Sequence, residues 1–381
     1  MKSIEQLMQQ GIDRGIFPAA SLLIGTPNKI LFDQHFGQAR EGTCFDIASL
    51  TKAVSTATLC MQFYAEDLIK MGDTLFQWLG GARQPFHKEV SVEYLLCHKG
   101  GFPAWQAYYR ALPLDRVGTE EARQRIRNAC LEEPPFFRPG AQCVYSDLGY
   151  ILLGEILAEV GIVSLDVLFQ HRIAIPLSLK DTFFVRNMGN PIKPTQKRGY
   201  TTATQHVPTG EGNAETVSRT KSRRFAPTED CPWRERVVHG EVHDQNAYAM
   251  GGVAGHAGLF STTKDLHRFI SELVQCYHGK SDWIPAEIVQ TFLDYPHKPG
   301  EFVLGWDTPK AKGSLAGQYF SVKTIGHLGY SGCSMWIDLA KNFWVILLTN
   351  RIHPNATNEK IRAFRPRLHD LIAKELTSEN N

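Results

Sequence analysis

The spacing of apolar residues changes along the chain, and the changes mark out its elements. AASLLIG (19–25) and KILFDQHFG (29–37) are short and dense in aliphatic and aromatic residues. Pro27-Asn28 separates them, which predicts two strands joined by a turn. Helical periodicity then takes over, across 50–65, 120–131, 148–160, 163–172 and 263–277. The last of these opens behind Thr262 with Asp265 in its first turn, a capped start. Ahead of the strand pair, Ser3 with Gln6 three residues on, and Gly15 beyond, predict a first helix that is capped and stopped by glycine. Strand signals return only near the end, around 302–306, 317–323, 333–338 and 343–349, and a final helix is predicted over 357–376. This order predicts an α+β fold. One sheet is built from both termini (about 1–48 and 300–381) beside a mostly helical insertion lobe (about 49–299), with a site between them.

One stretch obeys neither rhythm. Residues 186–246 are rich in Pro, Thr, Gly, Lys and Arg, and a loop this long in a compact domain often borders a functional site. Its basic run, Arg219 to Arg224, reads as solvated loop; a net charge of +2 supplies no general field for nucleic acid or an anionic membrane. With 43% hydrophobic and 21% charged residues, the 381-residue chain is composed like an ordinary globular protein and is long enough for a large core. Glu5 and Asp13 stand where a signal peptide needs an apolar stretch, and no long apolar span follows. A cytoplasmic protein without a membrane span is therefore expected. The eight cysteines include no C-x-x-C pair, and several sit in apolar runs such as Leu59-Cys60-Met61, so buried free thiols are expected.

Candidate chemistry enters through a repeated pattern. Ser-x-x-Lys occurs three times, at Ser49…Lys52, Ser218…Lys221 and Ser261…Lys264. A serine activated by a lysine needs its hydroxyl at a helix N-terminus and the amine one turn on along the same face. It also needs an apolar setting that brings the neutral amine within reach. Ser49 heads a run that is apolar nearly all round, and Lys52 is the only cation before Lys70. Ser218 lies in an arginine-rich polar loop, and Ser261 opens an amphipathic helix in which Lys264, Asp265 and Arg268 read as capping. Ser49 is the candidate; a plain helix cap beside a snorkelling lysine is the competing reading.

Such a nucleophile also needs a proton shuttle and donors for an oxyanion. Tyr145 is the one tyrosine followed two residues later by Asn or Asp, and Tyr145-Ser146-Asp147 stands in a turn just ahead of the 148–160 helix. His-x-Gly occurs at 98–100, 256–258 and 327–329, but only His327-Leu328-Gly329 is flanked by strand signals, where a strand edge can present backbone N–H groups. His239, His243 and His256 lack His-Glu-x-x-His spacing, so no metal site is expected. The glycine run 251–258 lacks a phosphate-cradling pattern and reads as a tight wall near the cleft. Gly-x-Ser-x-Gly is absent, which argues against an α/β-hydrolase elbow.

Together, Ser49-Leu-Thr-Lys52, Tyr145-Ser-Asp147 and His327-Leu-Gly329, in this order and at these separations, resemble the serine β-lactamase-like hydrolases. That group includes class C β-lactamases, D-alanyl-D-alanine carboxypeptidases (penicillin-binding proteins) and family VIII esterases. FDIASLTKAV, LLCHKGGFP, RPGAQCVYSDLGYILLGEI and GHLGYSGCSMWID extend the resemblance over most of the chain. It implies a single β-lactamase/transpeptidase-like domain, an α/β sandwich with an antiparallel sheet. The implied activity is that of a serine hydrolase working through an acyl-enzyme, without cofactor or metal. Ser49 would be acylated, and Lys52 would deprotonate it or hold the charge balance. Tyr145 would act as base and then as acid to the leaving group. The N–H groups of Ser49 and of Tyr330, which follows Gly329, would form the oxyanion hole.

Two departures bear on the substrate. His327 stands where relatives carry a lysine that helps hold a substrate carboxylate, and a mostly neutral imidazole does this less well. Asp147 stands where many relatives have Asn. Its charge would favour protonated Lys52, unless the side chain turns away to cap the following helix. The expected substrates are small-molecule esters or amides. Cell-wall peptides or β-lactams are the alternative within the same fold, and a ligand-binding or sensor protein that keeps the pocket is the alternative outside enzymes.

Overall fold

The two ends of the chain meet in one antiparallel sheet. The computed structural model describes residues 1–187 and 223–378. Its strands are β1 (Ala19–Thr26), β2 (Lys29–Gly37), β3 (Phe45–Asp46), β4 (Phe183–Phe184), β5 (Asp230–Cys231), β6 (Arg236–Val237), β7 (Leu259–Ser261), β8 (Thr324–Leu328), β9 (Ser334–Asp338) and β10 (Phe343–Thr349). The main sheet has the order β2-β1-β10-β9-β8, and a smaller one the order β3-β7-β4. In the join between the termini, Ala20 lies opposite Thr349 and Gly25 opposite Trp344.

The apolar density of β1 and β10 has a direct cause: both strands are covered on both faces. Ala20, Leu22, Ile24, Phe343, Val345 and Leu347 point into a layer shared with Ile4, Met8, Phe364 and Leu368 of the terminal helices Lys2–Asp13 and Ile361–Ser378. Ala19, Leu23, Trp344, Ile346 and Leu348 point the other way, into the core shared with the helices of the middle of the chain. The helix Thr263–Tyr277 packs against β1 and β10 from that side. Thr262 caps it as predicted, accepting from the Asp265 N–H at 3.3 Å.

Several boundaries move. The first helix begins at Lys2, so Ser3 lies inside it and no side chain caps it. The predicted strand over 302–306 is reduced to a bridge between Val303 and Trp306. The stretch 317–323 is loop, because Asp338 accepts from the Ser321 N–H and hydroxyl at 2.7 Å each and holds it off the ladder. The edge strand falls one step later, at β8, and carries His327 itself. The final helix starts at Ile361 rather than 357. Within the low-periodicity stretch, β5 pairs with β6, and Phe225 bridges to Cys44. All eight cysteines are free, and seven are buried. Among the described residues, no helix is long and apolar enough to cross a membrane.

Two middle helices position the site. The first is continuous from Leu50 to Ala65 but has a π stretch at Lys52–Ala57, in which the Thr58 hydroxyl donates to the Ala53 carbonyl at 2.9 Å. The second, Asp147–Gly161, is almost wholly buried. The glycine-rich segment 251–258 lies against it so closely that a Cβ on Gly255 would meet the Tyr150 carbonyl oxygen at 2.1 Å and the Gly154 Cα at 2.9 Å. Both obstacles are backbone and cannot swing aside. Gly255→Ala is expected to lower unfolding free energy by roughly 1–3 kcal/mol, the usual cost of overpacking. Chemical denaturation checks this, and an unchanged midpoint contradicts it.

Candidate active site

The site is built around the turn that delivers Ser49. β3 pairs with β7, and the chain then turns through Ala48, whose φ of +48° is left-handed and unfavourable for a residue with a Cβ. Asp46 holds that turn. Its Oδ1 accepts from the Ala48 N–H at 2.8 Å and its Oδ2 from the His243 N–H at 2.7 Å. Burial pushes the Asp46 carboxyl up, and these two donors partly offset it. The helix starts at the next residues, which leaves Ser49 at its N-terminus.

Lys52 lies one turn on, with no solvent exposure at all. Its Nζ donates to the Ser49 Oγ at 3.0 Å, to the Asp147 Oδ1 at 2.6 Å and to the His256 carbonyl at 3.1 Å. Burial lowers its affinity for a proton; Asp147 and, further off, Asp244 oppose this without cancelling it. A snorkelling lysine would reach water. This one does not, so Lys52 is not snorkelling.

The second motif converges on the first. Tyr145 lies close enough to Ser49 for that hydroxyl to ease its ionisation, and the Lys52 Nζ stands 4.9 Å from the centre of its ring. Burial, reinforced by the Asp147 charge, drives the phenol well above its usual range. Asp147 does not cap the following helix. Ser146 does, accepting from the Gly149 N–H at 3.4 Å, and Asp147 faces Lys52.

The third motif closes the other side. At Gly329 a Cβ would lie 2.6 Å from the Ile47 carbonyl oxygen, so only glycine lets the end of β8 come this close to the Ser49 turn. Among the described residues, neither the Ser49 N–H nor the Tyr330 N–H has a hydrogen-bond partner. The Tyr330 side chain is exposed and stacks on His243 at 5.6 Å. His327 is buried 6.2 Å from the Tyr145 ring, measured between ring centres. The structure thus brings together Ser49, Lys52, Tyr145, Asp147, His327, Gly329 and Tyr330.

Three further residues belong to this assembly: His98 and His256, whose His-x-Gly settings were set aside in favour of His327, and Asp244. The His98 ring packs at a tilt of 37° against that of Tyr145, and His256 gives Lys52 a carbonyl while its Nε2 pairs with the Asp244 Oδ1 at 2.8 Å. Burial pushes the Asp244 carboxyl up, but His256 and the Ala247 N–H more than reverse this and hold it low. Only its tight glycine setting hinted at His256; nothing local marked Asp244. Of the other Ser-x-x-Lys copies, Ser218…Lys221 lies outside the described residues. Ser261 is buried on β7 against Thr182, and Lys264 pairs with Glu41. His239 and His243 are engaged by the Phe225 carbonyl and by Glu229. Among the described residues, one group has metal-ligand spacing: Asp147, Asp244 and His256, with ligand atoms within 4.8 Å of one another. It fits a metal poorly, because the Lys52 ammonium already sits on Asp147 and the His256 Nδ1 lacks the supporting acceptor usual for a metal-bound imidazole.

A family model described as Beta-lactamase matches residues 4–367. The chain belongs to the Beta-lactamase family. Its members are serine hydrolases, and this chain is one of them. A protein from Escherichia coli O157:H7 that carries the provisional name of D-alanyl-D-alanine carboxypeptidase is 26% identical over 93% of this chain and 82% of its own length. An octameric penicillin-binding protein homologue from Pyrococcus abyssi superposes with a TM-score of 0.70 at 17% identity, over 97% of this chain and 77% of that one. EstCE1, a hydrolase with promiscuous acyltransferase activity, does so at 0.67 and 19%, over 96% and 98%. At these identities the two structures show a shared fold.

In this Beta-lactamase family member, the third motif carries no charge. Burial, with Lys52 as neighbour, holds the His327 imidazole down to about 3. Its Nδ1 donates to the Leu328 carbonyl at 2.9 Å, which leaves Nε2 as an acceptor without a partner. His98 is held well below its usual range and His369 down to about 4, both mainly by burial. In the unfolded chain each takes up a proton below about pH 6.5, whereas in the folded chain it resists until far lower. The stability these groups contribute is therefore complete above about pH 6.5 and lost as pH falls towards the folded values. His327→Asn should show a shallower fall of Tm between about pH 6.5 and 4 than wild type. Equal slopes would contradict this.

Proposed function

We propose that this serine hydrolase cleaves esters or small amides through an acyl-enzyme on Ser49. The observation that carries the reading is the 3.0 Å contact between the Ser49 Oγ and an amine kept wholly from water. Desolvation makes the neutral amine accessible, so Lys52 takes the Ser49 proton as the hydroxyl attacks the carbonyl carbon. The phenol of Tyr145 keeps its proton at neutral pH, so the proton is present for the strongly basic leaving oxygen or nitrogen, and the phenolate then takes back from Lys52 the proton that Lys52 removed from Ser49. The unpartnered N–H groups of Ser49 and Tyr330 support an oxyanion role. Water then attacks the acyl carbon and gives up a proton to Lys52 or Tyr145; that proton returns to the Ser49 oxygen as its bond to the acyl carbon breaks and the carboxylic acid leaves.

The neutral His327 favours esters and small amides over substrates with a free carboxylate, since its open Nε2 is an acceptor. The names of the relatives favour a second reading, a D-alanyl-D-alanine carboxypeptidase. Rates with a nitrophenyl ester, with nitrocefin and with a peptide ending in D-alanyl-D-alanine separate the readings.

A fluorophosphonate should add one mass increment to the wild type and none to Ser49→Ala, which should also lose turnover while keeping its fold. Labelling or turnover in that variant would discard the nucleophile. Tyr145→Phe should lower kcat by roughly 10²–10⁴, the usual worth of a general acid–base group; unchanged kinetics would leave the tyrosine as packing. Asp147 raises the proton affinity of Lys52, so Asp147→Asn should move the acid limb of kcat/KM to lower pH. A shift to higher pH, or none, contradicts the assignment of Lys52 as base.

A further inference from the structure

We propose that His98 is a positioning residue that holds Tyr145 against Ser49; this rests on the reading of Ser49 and Tyr145 given above. His98 follows the helix Val92–Leu96 in a turn and belongs to no part of the three motifs. It grips the Tyr145 segment from both sides. Its backbone carbonyl accepts from the Val144 N–H at 2.9 Å, and its ring Nδ1 accepts from the Ser146 N–H at 3.1 Å. Tyr145 is the single residue between the two bonds. The imidazole itself is buried between two phenols, 4.5 Å from the Tyr145 ring centre and 4.9 Å from that of Tyr150, and Phe302 meets it edge-on at 4.5 Å. Backbone and ring of one residue thus fix the main chain and the aromatic face of the tyrosine.

This clamp has a conformational cost. His98 adopts φ +55°, in the left-handed region that side chains rarely occupy. Strain of this kind persists where surrounding contacts over-determine it, and it clusters at functional sites. Here the left-handed turn is what lets one residue present its carbonyl and its ring nitrogen to the same facing strand of chain.

The Ser146 bond also fixes the chemistry of the ring. Because Nδ1 accepts, the single proton of the neutral imidazole sits on Nε2. A doubly protonated ring would turn a hydrogen towards the Ser146 N–H and break the clamp. Burial and the neighbouring Lys52 both disfavour that form. The rest of the motif is anchored elsewhere: the Ser146 hydroxyl donates to the Pro103 carbonyl at 2.7 Å, and the Asp147 N–H to the Ala104 carbonyl at 2.8 Å. Loss of the His98 side chain should therefore loosen Tyr145 while Asp147 and Lys52 stay in place.

The test uses two substitutions in two backgrounds, with kcat and KM measured on a nitrophenyl ester. His98→Gly keeps the backbone carbonyl and suits the left-handed turn, but removes the acceptor and the ring. Misplacement of a reacting group by about 1 Å costs on the order of 10²-fold, so kcat should fall by about that factor with KM little changed. His98→Asn tolerates the same turn and offers an amide oxygen near the place of Nδ1, so it should recover at least about tenfold of the loss. In a Tyr145→Phe background, His98→Gly should cost less than about threefold, because its effect is routed through the missing hydroxyl. Equal losses in both backgrounds, or no recovery with asparagine, would overturn the proposal and leave His98 as packing. Should His98→Gly not fold, the asparagine variant decides alone: its smaller loss must vanish in the Tyr145→Phe background, and persistence there overturns the proposal. Fluorophosphonate labelling of the wild type tests the underlying reading separately. No label on Ser49 there sinks the hydrolase chemistry whatever the His98 variants do.

Discussion

A lysine amine with no access to water is the constraint on which the site depends. Burying its charged form costs several kcal/mol unless partners replace its hydration, so Lys52 both loses proton affinity and needs a complete set of acceptors. They come from three distant parts of the chain: the Ser49 hydroxyl, the Asp147 carboxylate and the His256 carbonyl. Meeting that demand explains features that otherwise look unrelated. The glycine-rich segment must lie on the helix Asp147–Gly161 closely enough to bring the His256 carbonyl within reach, hence glycine at 154 and 255. The π stretch begins at Lys52 itself, and such stretches are common where a helix carries functional groups.

The polarity of the site follows from the same constraint. Lys52 draws Asp147 towards it, and Asp244 and His256 close a second pair behind. The imidazoles beside Tyr145, those of His98 and His327, are kept neutral by burial and by the neighbouring Lys52. One buried amine is therefore the basic group beside the Ser49 hydroxyl, and the side chains packed around it are otherwise acceptors or neutral rings. The backbone N–H groups of Ser49 and Tyr330 are the exception: among the described residues neither has a hydrogen-bond partner, which is why we propose them as the oxyanion donors.

The sequence disclosed this site unevenly, for physical reasons. Ser49 and Lys52 were legible because a helix puts residues three apart on one face, so a short motif states a spatial fact. The two-ended sheet was legible because β1 and β10 are apolar throughout. The edge strand β8 was displaced in the reading because its polar approach, 317–323, is tied down by Asp338, a partner no local pattern shows. Whether Asp147 faced Lys52 or capped its helix depended on Ser146 taking the cap. Nothing local marked Asp244, and His98 and His256 were set aside in favour of His327, since all three act through contacts with residues outside their own motifs. The uncapped first helix shows the converse: Ser3 and Gln6 had the right spacing, but the helix begins at Lys2, two residues before a Ser3 cap would start it.

The charge of Lys52 is the quantity to measure. In protein carrying carbon-13 at lysine Cε, the Lys52 resonance, assigned by its loss in Lys52→Met, can be followed against pH by NMR. The account predicts a midpoint below that of the exposed lysines, with a further fall when Asp147 is replaced by Asn. A midpoint at or above the ordinary lysine value of about 10.4 would mean that Asp147 outweighs burial and that Lys52 stays charged, which contradicts its role as the group that takes the Ser49 proton.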